Sequence, residues 1–252
     1  MRRAALTLTL LGLLPVLFYA GLTAALRAGA VGFGAVFGQL GWLVPALGLG
    51  GVLALVGAGL MLYRRAVLPG LASLVVAAAA FGMLAAPLAM KRTAKAVPFI
   101  HDVTTDTDDP PAFVAILPLR ADAPNPPTYD PAVADLQRAY YTDLAPLVVQ
   151  RPYEEVFPLA VAALRDEGLR VVAAVPGQGR IEGVARTRWF GFEDDVVLRL
   201  QDAHGIATVV DVRSKSRVGG SDLGANAARI EAILGRIEAA AGPAVPGAGE
   251  GA

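Results

Sequence analysis

Three stretches in the first third of the chain, Ala4–Leu26, Gly41–Tyr63 and Ala66–Met90, carry no charged side chain. Each exceeds the roughly 20 residues that a helix needs to cross about 30 Å of hydrocarbon. A buried core helix is the competing reading for any single run. Three such runs within the first 90 residues, with no acidic residue among them, point instead to membrane-spanning helices. Only Arg64 and Arg65 separate the second run from the third, so these two form a tight helical hairpin.

Charge then divides the chain. All 22 acidic residues lie at Asp102 or later, whereas 8 basic residues precede residue 96 and 14 follow it. The first part is +8 and the rest, 14 positive against 22 negative, is −8, so the net charge of zero is a cancellation. The expected organisation is a membrane anchor over 1–95, a soluble domain over 96–242 and a disordered Gly/Ala/Pro tail over 243–252. An acidic domain argues against nucleic acid, which needs clustered positive charge. The absence of cysteine excludes disulfides, thiol catalysis and cysteine-ligated metals.

Within the anchor, small residues recur every four positions: Ala46, Gly50, Ala54 and Ala58 in the second run, Ala78, Gly82 and Ala86 in the third. Such stripes let helix backbones approach closely in lipid. No ionisable residue falls mid-membrane, so the helices read as structural. With the N-terminus inside, Arg2, Arg3, Arg64 and Arg65 face Arg27, Lys91, Arg92 and Lys95 across the membrane, a tie by the positive-inside rule. Arg2-Arg3 directly before the first helix break the tie and place the following domain outside, periplasmic in a Gram-negative bacterium.

The remainder reads as α+β. His101–Pro111 and Asp122–Pro131 are connectors rich in proline and aspartate. Asp130-Pro131 opens a helix to about Tyr141, and a second runs over Pro152–Glu167, with a kink or later start expected at Pro158. Four strands, Leu169–Val175, Arg180–Trp189, Asp194–Asp202 and Ile206–Ser216, follow without helix-length gaps, which predicts an antiparallel meander. A last helix, Ser221–Ala240, puts Leu223, Ala227, Ile230, Leu234 and Ile237 on one apolar stripe, with Ser221 as its N-cap.

Three segments resemble an uncharacterised bacterial family known as domain of unknown function 1499. They are Pro98–Asp102 with Thr104–Pro111, Thr187–Val197, and Asp211–Gly219 continuing through Ser221–Gly224 to Asn226. Together they span about residues 98–240, and Leu169 departs from the pattern where an aromatic is expected after Gly168. The resemblance implies a bacterial module often found at membranes; it brings no activity, cofactor or site.

Period-two alternation puts Arg186 with Arg188, and Arg213 with Lys215 and Arg217, on common strand faces, and Arg199 joins them from the strand between. Six positive charges on one face, with Ser221 in the adjoining glycine loop, suit a lipid headgroup, phosphate or glycan. The competing reading is a solvated face balanced by Glu182, Asp195 and Asp211. Trp189, Phe190 and Phe192 in one turn either close a pocket, enter the membrane interface or cover the sheet end. Asp102, Asp106, Asp108 and Asp109 read as a solvated acidic linker rather than a cation site. No catalytic motif is present, and neither a cofactor nor a metal is implied.

These features together predict a multi-pass protein of the bacterial inner membrane that binds an anionic group in the envelope. The partners expected are membrane lipids, the anionic ligand or a second membrane protein, and not nucleic acid. Two alternatives stay open: a hydrolase or transferase using Asp194, Asp195 or His101, and a structural partner of another membrane protein.

Overall fold

A computed structural model describes residues 1–187 and 190–242. The chain divides into two compact units, Met1–Lys95 making up the body of one and the residues from Ala96 that of the other.

In the first unit, α1 (Arg2–Arg27), α2 (Phe33–Tyr63) and α3 (Val67–Thr93) are each long and apolar enough to cross a membrane. At 1.5 Å per residue each reaches roughly 40 Å. The second helix starts eight residues before the expected Gly41. Gly29, with φ +73, and an extended Gly32 end the α1–α2 turn, and nothing polar interrupts the helix after them. Between α2 and α3 the turn bends at Arg65, which has φ +58.

Glycine sets the α1–α2 contact. A Cβ at Gly12 would lie 2.4 Å from the Gly50 carbonyl oxygen, and one at Gly57 would lie 2.6 Å from Thr9 Oγ1. Thr9 Oγ1 and Ser73 Oγ, 2.8 Å apart, join α1 to α3. Of the expected stripe in α2, Gly50, Ala54 and Ala58 are buried and Ala46 is half-buried. The stripe expected in α3 is not the packed one, because Ala78 and Gly82 are exposed and the buried face carries Gly70, Ser73, Ala77 and Ala80. Small residues occur all round this helix, so spacing alone cannot choose a face; the Thr9–Ser73 bond lies on the face that is buried. Gly12→Leu is expected to destabilise the helix bundle by about 1–3 kcal/mol through overpacking. Gly21→Leu, where a side chain meets nothing within 4 Å, should be neutral in the same thermal unfolding measurement in detergent.

The second unit is a six-stranded antiparallel sheet: β1 (Asp102–Thr104), β2 (Leu147–Val149), β3 (Arg170–Val175), β4 (Arg180–Arg186), β5 (Glu193–Ala203) and β6 (Ala207–Ser216). The meander β3–β4–β5–β6 is the one that alternation predicts. Expected as connector, β1 instead pairs with β6, as Asp102↔Lys215 through Thr104↔Arg213; β2 pairs further along the same edge, Leu147↔Val210 through Val149↔Thr208. Three residues show no periodicity, and only the long β6 makes strands of them. The outer edge of β1 is closed by Gln137 of α4 (Ala134–Tyr140), whose side chain accepts from Thr104 N at 3.1 Å and donates to Thr104 O at 2.7 Å. Asp130 caps the preceding turn as expected, its carboxylate accepting from Ala132 N at 3.0 Å.

Helices α5 (Tyr153–Asp166) and α6 (Ala225–Ala241) cover one sheet face. Val156, Leu164, Ile230 and Ile233 meet Ile181, Leu198, Val210 and Val212 there. No later start occurs at Pro158, since α5 begins at Tyr153. Ser221 is not the N-cap of α6. That position is Gly224, with φ +81, and the Asp222 carboxylate accepts from Gly224 N and Asn226 N, both at 2.9 Å. Leu223 therefore lies outside the helix, and Ile233 is fully buried where Leu234 is only partly so.

Across the opposite sheet face runs a strap without regular strands, residues 105–128. It contributes Phe113 and Ile116 to a small apolar cluster with Val184 and Val197.

Candidate functional site

Such a strap must satisfy its backbone polar groups without a ladder of its own, because buried N–H and C=O groups left unpaired are costly. The sheet face beneath it supplies charged side chains for this task. Strand alternation points Arg180, Glu182, Asp195, Arg199, Asp211, Arg213 and Lys215 towards the strap. Glu182, fully buried, accepts from the backbone N–H groups of Val114 at 3.0 Å, Ala115 at 2.8 Å and Ile116 at 3.0 Å. Carbonyls of the strap go to cations: Pro111 O and Pro127 O to Arg213, Leu119 O to Arg217, and Thr128 O to Lys215.

The same cations are balanced by carboxylates. Asp102, buried in β1, takes Arg213 through two hydrogen bonds of 2.9 and 2.8 Å and Lys215 at 2.7 Å. The Arg213 guanidinium also lies over the Phe113 and Tyr129 rings, 4.9 and 5.3 Å from their centroids. Asp195 takes Arg217, which also bonds Glu193, and lies 3.2 Å from Arg120. Arg199 meets three carboxylates, those of Asp106, Asp109 and Asp211. Burial pushes Lys215 below the ordinary lysine range although Asp102 pulls the other way, and it raises Asp195 although Arg217 lowers it. Tyr129 is pushed up to about 12, chiefly by burial.

The expected basic face is therefore roofed. Arg199, Arg213 and Lys215 are brought together on it, with Arg217 just beyond the end of β6, and each is answered by at least one carboxylate. Arg186 shares the face and stands opposite Glu193 in the register. Arg188 and Trp189 lie outside the described residues. Phe190 and Phe192 flank Gly191 at a turn closed by Thr187 N to Phe192 O and Phe192 N to Thr187 Oγ1, both 2.8 Å. Ser221 Oγ accepts from Leu223 N at 3.2 Å. Asp194 and Asp195 are buried on opposite faces of β5, since Asp194 pairs with Arg229 at 2.8 Å on the helix side. His101 uses its backbone carbonyl to accept from Ser216 N and Asn226 Nδ2, and burial lowers its pKa. Among the described residues no group of acids and histidines is arranged to hold a metal.

Sequence reasoning passed over Arg120, Asn125 and Arg180. Asn125 donates to Ser216 O and Gly219 O, both at 2.9 Å, and pins the end of the strap to the loop after β6. Arg180 shares the parity of Arg186 and was legible on that ground. It stands beside Arg199 across β4–β5, at a cleft of about 350 Å³ between the strap and the ends of these strands.

A family described as Protein of unknown function (DUF1499) matches residues 102–237. No curated protein and no solved structure matches the chain. With more than half of its residues in that match, from the first strand of the sheet to near the end of α6, the chain belongs to the DUF1499 family.

Proposed function

We propose that this protein is a membrane-anchored binding or accessory protein of the bacterial envelope, whose second unit stands outside the cytoplasmic membrane and recognises an anionic group. Three apolar helices supply the anchor, and membrane lipids surround it. One observation carries the recognition half of this reading: the cleft at Arg180. The donors of Arg213, Lys215 and Arg217 are largely engaged with the strap and with carboxylates, whereas Arg180 Nη2 donates at an exposed position to the neutral Gln178 side chain. A guanidinium edge that donates to a neutral amide binds an incoming anion more strongly than that amide.

The test is thermal unfolding of the full-length protein in non-ionic detergent at constant ionic strength. The panel is phosphate, acetate, a sulfated glycan and micelles doped with phosphatidylglycerol. At least one anion should raise the melting temperature in a saturable way, and a flat response across the panel would overturn the reading. Orientation is tested with Ala244→Cys, the chain having no other cysteine. Labelling of intact cells by a membrane-impermeant maleimide is expected; labelling only after lysis would place the unit in the cytoplasm.

A further inference from the structure

Resting on the reading of the three long helices as a membrane anchor, we propose that the exposed apolar face of α4, together with Phe99, is seated in the headgroup layer of the phospholipid bilayer. The evidence begins with the outward side of this short helix. Ala132, Leu136, Ala139 and Tyr140 are all exposed, and their spacing of four, seven and eight residues puts them on one face. Leu136 is 53% and Tyr140 50% exposed. Ala134 and Gln137 are buried on the inward side, and Asp135 pairs with Arg138 at 2.8 Å on the flank. A surface helix in water turns its polar residues away from the core. Here the side away from the core is apolar.

What covers this face follows from the course of the chain. Lys91 and Arg92 close the apolar run of α3, which ends at Thr93, and Lys95 follows. Basic residues at the end of a spanning helix lie at headgroup level. Ala96 is three residues beyond Thr93, hence within about 10 Å of the helix end. This exit segment is built into the second unit. Tyr140 Oη donates to Ala96 O. A Cβ added at Gly224 would meet Val97 at 3.4 Å, and one added at Gly220 would meet the Phe99 ring at 2.7 Å. Asp222 N donates to Ile100 O at 2.9 Å. Helix α4 is therefore held at the point where the chain leaves α3.

The side chains suit the lipid–water boundary. A tyrosine there keeps its ring in the apolar zone and its hydroxyl on a polar partner, which for Tyr140 is Ala96 O. Phe99, 76% exposed and four residues after Lys95, adds a second ring. Charge does not draw this face to anionic lipid, because Arg138 stands against Asp130, Asp135 and Asp143 in the helix and its flanks. The seat is an apolar one and needs only a zwitterionic headgroup layer. Strand β6 gives the direction. Its last residue, Ser216, adjoins the exit segment through a 2.9 Å bond from Ser216 N to His101 O. Its first, Ala207, is nine residues back, roughly 30 Å away along the strand. Ile206, at that far end, is 61% exposed and just as apolar, but lies out of reach of the layer.

The experiment places the full-length chain, which has no cysteine of its own, in phosphatidylcholine vesicles. Leu136→Cys, Ala132→Cys, Ile206→Cys and Leu49→Cys are each labelled with a polarity-sensitive fluorophore. The quenchers are phospholipids carrying a nitroxide near the headgroup or at mid-chain. Labels at positions 136 and 132 should be quenched by the shallow nitroxide at least twofold more than the label at 206, with emission shifted to the blue. Both positions are exposed, and agreement between them guards against a local disturbance of the fold. The label at position 49, midway along α2 and exposed, should respond to the mid-chain nitroxide. Quenching at 49, with 136 and 132 no better quenched than 206, would overturn the seat and leave the anchor standing. Absence of quenching at 49 as well would remove the anchor reading and the seat with it. Quenching at 136 that requires added phosphatidylglycerol would overturn the apolar seat in favour of an electrostatic contact.

Discussion

Asp102→Ala is expected to destabilise the second unit by about 3–5 kcal/mol, the range for removing one partner of a buried ion pair. Among the described residues this carboxylate alone answers two cations, Arg213 and Lys215, and all three side chains are at most 3% exposed. Its removal leaves both positive charges buried with only the carbonyls of Pro111, Pro127 and Thr128 and the rings of Phe113 and Tyr129 around them. Since Asp102 also begins β1, its loss should release that strand and expose the edge of β6. Hydrogen exchange on the full-length protein reads this directly: amides of residues 102–105 and 212–216 should lose protection together. Arg138→Ala supplies the contrast, because its partners Asp108 and Asp135 are more than 90% exposed and surface pairs contribute about 1 kcal/mol or less. Equal effects from the two variants would show that burial does not govern this cluster.

Glu182→Leu should act on the strap. The substitution keeps the bulk and the apolar stem but withdraws the acceptors of three backbone N–H groups and the carboxylate nearest Arg180. Orphaned donors cost about 1–3 kcal/mol each, and partial relaxation of the strap towards water should hold the total near about 4 kcal/mol. The loss should be local. Limited proteolysis is expected to cut within residues 108–120 of the variant and to spare the wild type, while the helix-side core of Ile230 and Leu198 stays protected against exchange. Glu182→Gln keeps one acceptor oxygen and should fall between the two. A strap as resistant in Glu182→Leu as in the wild type would mean that Phe113 and Ile116 hold it by apolar contact alone.

Much of the architecture could be read from the chain because it is local. The meander follows from alternating residues and from turn chemistry, as at Asp202, whose carboxylate accepts from Gly205 N in the β5–β6 turn. Charge-free length announces the three helices. The strand parity of Arg199, Arg213 and Lys215 was equally legible, and so was the nearness of Asp195 and Asp211. What covers that face was not. Strap residues 105–128 have neither helical nor strand period, so no pattern in them reveals that they lie on charged side chains. The acids that complete the site are remote in sequence as well: Asp102 meets Arg213 across 111 positions, and Glu182 meets Val114 across 68.

The sequence by itself determined that this chain has three helices long and apolar enough to cross a membrane and an α+β unit with an antiparallel meander, because hydrophobic length, charge segregation and alternation are each read along contiguous stretches of chain. Only the tertiary structure decided which face of α3 is packed, that Asp102–Thr104 and Leu147–Val149 become strands, and that the basic sheet face holds a strap. Those outcomes depend on partners tens of residues away. A buried charge is tolerated only where folding delivers its counter-charge and the backbone groups it must satisfy.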